Sequence, residues 1–129
     1  MSTLENLDSI LQNLESSLSG QVEGTVIASG DGFVITDTLA GEGDGEELAA
    51  MVATTMGVSK RMSDTLDAGE VEETTISGED RSMFLYKAGS EGVLGVIGVA
   101  DANVGMIHLQ AREAAQEIES LLSSSSAVA

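Results

Sequence analysis

GEELAAMVATTMGVSKRMSDTL, residues 45–66, is the one long helical stretch in the middle of an otherwise strand-like chain. Leu48, Met51, Val52, Met62 and Leu66 recur at helical spacing, with Thr55 and Ser59 filling the intervals. At about 100° per residue they form one stripe. Ala50, Ala53 and Gly57 stand opposite. A solvent face normally carries Glu, Lys or Gln, whereas a small, uncharged back lets a second backbone come close. Ala is a good helix former and needs no partner to explain it. A helical Gly, however, costs roughly 1 kcal/mol relative to Ala and asks for a packing reason. The stretch therefore predicts a helix that buries its stripe in its own domain and offers Ala50, Ala53 and Gly57 to a second contact. Lys60 and Arg61 lie beside Gly57, and two readings stand for them. Cations suit the C-terminal half of a helix, or the pair meets acids on a partner.

Upstream, Ser2-Thr3-Leu4-Glu5 has the spacing of a capping box. Leu4, Leu7, Leu11, Leu14 and Leu18, joined by Ile10, continue it as an amphipathic helix stopped near Gly20. Barely two heptads are covered, so the Leu seam is read as packing on a sheet and not as a coiled coil. Val22–Ala28 and Phe33–Thr38, joined by Ser29-Gly30-Asp31-Gly32, make a hairpin. Downstream of the long helix, Val71–Ser77 is polar and β-branched, with Glu72 and Glu73 guarding it as an edge strand. Met83–Lys87 and Val93–Val99 are apolar on both faces, so the sheet needs helices above and below. Asn103 can cap a last helix running to about Leu122, with Val104, Ile107, Ala111, Ala114, Ala115, Ile118, Leu121 and Leu122 as its stripe. Short turns between consecutive strands make the sheet antiparallel and the fold α+β, in the order α-β-β-α-β-β-β-α. The first and last helices share one face of the sheet, which leaves the long helix alone on the other. Residues 1–122 read as one domain and 123–129 as a flexible Ser/Ala tail.

Composition narrows the function. The chain has 129 residues, 42% of them hydrophobic, which suits one domain with a real core. Twenty-two acids against five bases give a net charge of −17. Nucleic acid, whose phosphates need the opposite sign, is thereby disfavoured, as is an anionic membrane surface. The acids are spread along the chain and Lys is reduced to Lys60 and Lys87, a pattern that fits a concentrated-salt cytosol. There is no Cys, and aromatics are only 2%, so thiolate chemistry and stacking platforms are not expected. With no signal-peptide pattern at the N-terminus and no membrane-spanning run, the chain is expected to be cytoplasmic, without direct membrane insertion.

Few residues point to chemistry. His108, the single histidine, has no partner fixed by sequence, so a surface or half-buried role is expected. Gly41-Glu42-Gly43-Asp44-Gly45 precedes a helix, yet it lacks Lys and carries acids that repel phosphate. Glu42, Asp44, Glu46 and Glu47 do not follow a calcium-loop pattern, and Glu46 and Glu47 are explained by the helix dipole. No catalytic residue, cofactor or metal site is expected, and the chain is read as a non-enzyme.

With the element order in place, the sequence resembles the Roadblock (dynein light-chain) family. The residues that carry the resemblance are the N-terminal Leu-rich helix, Val22–Ala28, Gly30–Ile35, Glu47–Ala50 and Gly92–Ile97, spread over roughly residues 3–122. The longin and profilin-like folds share parts of this architecture. The resemblance implies a five-stranded antiparallel sheet with one helix on one face and two on the other. It also implies a homodimer built by pairing the second helices and the third strands. Family members act as non-enzymatic platforms on small Ras-like GTPases, and some stimulate GTP hydrolysis. The expected dimer or partner interface comprises Ala50, Ala53, Gly57, Lys60, Arg61, Val71, Glu72 and Glu73. Pairing two Val71–Ser77 strands brings Glu72 and Glu73 of both copies near one another, so dimerisation should strengthen with salt. The alternative from a different class is a small-ligand sensor built on a similar antiparallel sheet, which would require an enclosed pocket.

Overall fold

The computed structural model describes residues 2–128, with side chains through Ser124. The elements are α1 (Thr3–Ser17), β1 (Val22–Ser29), β2 (Val34–Asp37), α2 (Asp44–Leu66), β3 (Glu73–Ser77), β4 (Arg81–Ala88), β5 (Gly92–Val99) and α3 (Val104–Val128). Ser2 caps α1: its hydroxyl accepts the Glu5 N–H at 3.1 Å and donates to the Glu5 carboxylate at 3.2 Å. The strands run in the order β2-β1-β5-β4-β3, every neighbouring pair antiparallel. The fold is therefore the α+β arrangement expected from the element order.

Alternation along the central strands builds two cores. Phe84 and Tyr86 of β4 face α1 and α3, meeting Leu7, Leu11, Leu14, Ile107, Ala111 and Ile118. Leu85, between them, faces the other way and meets Ala49 and Val52 of α2, with Val26, Ala28 and Val93. One sheet face thus carries two helices and the other carries α2 alone.

Three details differ from the expectation. The edge strand begins at Glu73, two residues later than Val71, although the Glu72 carbonyl still accepts the Lys87 N–H at 2.9 Å. The last helix runs to Val128 instead of ending near Leu122, because no Gly or Pro stops it. Of the expected tail, Ala129 and the side chains from residue 125 onward lie outside the described residues.

The third difference is the largest. Of the stripe assigned to the core, Val52 is buried and Leu48 half-buried, but Met51, Met62 and Leu66 are 51%, 60% and 69% exposed. The row that actually lies on the sheet is Gly45, Ala49, Val52, Met56, Ser59 and Ser63. Its members are mostly small, which lets α2 approach closely; a side chain at Gly45 would collide with the Asp37 carboxylate. Large apolar residues mark a face of this helix that the described chain itself leaves exposed.

Candidate interaction surface

Three parallel rows describe α2. The buried row runs through residues 45, 49, 52, 56, 59 and 63. On one flank lie Met51, Thr55, Val58, Met62 and Leu66, spaced alternately by four and three residues until the last step. Val58 is half-exposed like its neighbours. On the other flank lie Ala53, Gly57, Lys60 and Asp64.

The apolar flank looks towards the β3 edge. Ser59 Oγ and Thr74 Oγ1 are 3.1 Å apart, which ties α2 to β3 on that side. Ile76, two residues beyond Thr74, points to the same sheet face and is 52% exposed. Its partner across the ladder is Met83, which packs into the α2-side core. Met51, Val58, Met62 and Leu66 are thus exposed along one flank of α2, and Ile76 is exposed on an edge strand whose outer ladder is unpaired within the chain.

The edge strand is held from behind by α3. Arg112 binds both oxygens of Glu73, at 2.5 Å from Nε and 2.8 Å from Nη2. This ion pair lowers the Glu73 pKa, chiefly through the hydrogen bond, against the opposing effect of burial. One turn earlier on α3, His108 Nδ1 lies 2.8 Å from the Tyr86 hydroxyl. Burial pushes the Tyr86 pKa far above its ordinary value, so the phenol keeps its proton beside Nδ1. Phe84 and Tyr86 both meet the imidazole edge-on, with ring centroids 5.5 and 5.7 Å away. His108 is half-buried, and its contacts with Phe84 and Tyr86 anchor β4 beneath α3.

Ala50 and Ala53 have an intramolecular neighbour. The β1–β2 turn is closed by Ser29 N–H to the Phe33 carbonyl at 2.8 Å and by Phe33 N–H to Ser29 Oγ at 3.0 Å. Within it Gly32 has φ +92°, and a Cβ there would lie 3.5 Å from Ala50 Cα and 3.7 Å from Ala53 Cβ. The turn thus leans on the helix where its side chains are small. Ala50 is otherwise exposed and Ala53 half-buried. Gly57 is different: it is exposed, has no positive φ, and a Cβ would meet nothing within 4 Å. Neither backbone geometry nor packing within the chain accounts for its cost of roughly 1 kcal/mol in the helix.

The cations divide in the same way. Arg81 is tied to Glu23, Lys87 lies 3.5 Å from Glu70, and Arg112 is held by Glu73. Lys60 and Arg61 are exposed and, among the described residues, close no ion pair. Val71 is half-buried, and Glu72 is exposed just before β3. A groove of about 500 Å³ runs between the Ala53–Asp64 flank and the strand ends, reaching Gly30, Val71, Lys87 and Val93. A second, of about 640 Å³, lies between the β3 edge and α3 and is lined by Glu70, Glu72, Glu73, Arg112 and Glu119. Among the described residues no group of His, Asp and Glu is arranged to hold a metal, and no helix is long and apolar enough to cross a membrane.

Sequence reasoning thus found the helix, but the core stripe it assigned is only partly buried. It sent Met51, Met62 and Leu66 into the core and did not single out Val58 and Ile76, which are exposed beside them or on the edge strand. The available signal was the second apolar row at heptad-like spacing, which runs beside the small row that packs on the sheet.

Comparison with known proteins adds a family. Residues 9–98 match the model of the Roadblock/LC7 domain. An uncharacterised protein of Methanocaldococcus jannaschii, MJ1340, is 32% identical over 108 residues, covering 84% of this chain and 94% of that protein. The fold is similar to gliding protein MglB from Thermus thermophilus, with TM-score 0.84 at 16% identity over 94% of this chain and 91% of that one. It is similar also to a Roadblock/LC7 domain from Streptomyces avermitilis, with TM-score 0.83 at 17% identity over 89% and 96% of the two chains.

Proposed function

Because the chain belongs to the Roadblock/LC7 family, we propose that it is a homodimeric, non-enzymatic platform for a small Ras-like GTPase. The observation that carries the reading is the row Met51, Val58, Met62 and Leu66, left exposed on α2, together with Ile76 on the free β3 edge. A second copy covers it by pairing α2 with α2 and β3 with β3, which removes apolar surface from water and closes an edge ladder. With Thr75 at the centre of Glu73–Ser77, two-fold antiparallel pairing sets Glu73 against Ser77 of the second copy. Glu73 is already neutralised by Arg112, while Glu72 falls opposite Gly78 of the second copy, so the like-charge conflict is between Glu72 and the neighbouring Glu79. In this arrangement Ala53, Gly57 and Lys60 lie on the opposite flank from the dimer seam. They and the exposed residues Ala50 and Arg61 form the face offered to the GTPase.

Stimulation of hydrolysis, if the partner requires it, proceeds by positioning the GTPase's own residues. Arg81 and Arg112 are engaged with Glu23 and Glu73 and are not free to enter another active site. The test is light scattering coupled to size exclusion, followed by GTP turnover of each purified Ras-like GTPase of the host with and without the chain. A dimer that binds a GTPase and alters its turnover supports the platform; a monomer at all concentrations and salts refutes it.

A further inference from the structure

We propose that the groove beside Gly57 receives an acidic segment of the GTPase, with Lys60 as its charge partner and the helix backbone at Gly57 as the point of closest approach. The inference rests on the GTPase reading above and adds the chemistry of the contacting segment. Three observations converge. First, Gly57 weakens α2 and is required by nothing inside the chain, since a Cβ there would stand in open space. A residue so placed makes sense when an outside chain has to pass close to the helix. Second, Lys60, one turn on, borders the same groove of about 500 Å³ and closes no ion pair within the described chain. Lys87, on the far wall, is occupied by Glu70, and Asp64 beyond Lys60 does not close on it. Third, Arg61 adjoins Lys60 and likewise closes no ion pair among the described residues, so two of only five bases in a chain of net charge −17 stand together with neither neutralised.

The surrounding field explains the selectivity. An acidic partner is repelled by almost every other surface of this chain and finds its one local attraction at Lys60 and Arg61. The occupant is not the second copy. That copy is taken up by the apolar flank on the other side of α2, where no cation stands. The floor of the groove, with Met56, Val71 and Val93, is suited to apolar side chains flanking the acid.

The experiment uses the full chain and the host's purified Ras-like GTPases, each loaded with GDP or a non-hydrolysable GTP analogue. Binding is read by titration calorimetry at two salt concentrations, and light scattering checks each variant's dimer. Lys60→Glu is expected to weaken binding about tenfold or more, Lys60→Arg to retain it, and Gly57→Leu to block it, with every dimer intact. The salt dependence should be shallower in Lys60→Gln than in the wild type. Unchanged affinity in Lys60→Glu and Gly57→Leu overturns this inference while the platform stands. Failure of the wild type to bind any of the GTPases overturns both.

Discussion

Met62→Ala tests the reassigned flank of α2. Fully burying a Met side chain contributes about 1.5–3 kcal/mol, and Met62 keeps 60% of its surface exposed within the chain. The part left for a second copy to cover is therefore worth about 1 kcal/mol per protomer. Two-fold symmetry counts it twice, so losing it should weaken the dimer by about 2 kcal/mol, or about 30-fold in dissociation constant. The folded protomer should not suffer, because the residue makes little of the core and Ala is the better helix former. Sedimentation equilibrium over a wide concentration range measures the dimer, and thermal melts at a dilution that dissociates it measure the protomer. Gly57→Ala on the opposite flank should leave the dimer unchanged. If Met62→Ala dimerises like the wild type, or Gly57→Ala breaks the dimer, the assignment of the two flanks is wrong.

The other predictions concern stability and salt. Gly57→Ala should stabilise the dissociated protomer by up to about 1 kcal/mol, because the new methyl meets no neighbour and the backbone gains helix propensity; a lowered melting temperature would refute the open-space geometry. Tyr86→Phe removes the hydroxyl bonded to His108 Nδ1 and should cost about 1 kcal/mol, a few degrees in Tm; an unchanged melt would show that the bond contributes nothing. The Glu73 pKa is depressed in the folded state, so its contribution is complete above the ordinary value of 4.5 and is lost as the pH falls below it through the folded value. Arg112→Leu should therefore flatten the acid limb of the stability curve in that range, and an unaltered limb in urea melts would contradict the ion pair. Raising salt should tighten the dimer by screening Glu72 across the seam; equal dissociation constants at low and molar salt would remove that account.

Much of the fold was legible because its elements carry strong local signals. The Leu spacing and Ser2–Glu5 cap defined α1, the Ser29–Gly32 turn defined the first hairpin, and apolar runs on both faces of Met83–Lys87 and Val93–Val99 required helices on both sides. Residues 71 and 72 were less legible. Val71-Glu72 has the composition of strand, but the ladder begins at Glu73, opposite Tyr86. Regular pairing depends on where β4 stands, which local composition does not encode. The exposed apolar row of α2 was least legible. Hydrophobic periodicity says that Met51, Met62 and Leu66 avoid water, not which surface shelters them.

Sequence alone determined the order of elements, the antiparallel sheet, the isolation of one helix and the absence of a nucleotide or metal motif. These follow from periodicity, turn chemistry and charge, all local in the chain. Tertiary structure decided which row of α2 meets the sheet, that Arg112 neutralises Glu73, that Tyr86 holds His108, and that Lys60 and Arg61 are left without an ion pair among the described residues. The reason is distance in the chain. Arg112 and Glu73 stand 39 residues apart, and Tyr86 and His108 stand 22 apart. Helix rotation about its axis is likewise set by how closely small residues can approach the sheet, a packing balance settled only when both surfaces meet.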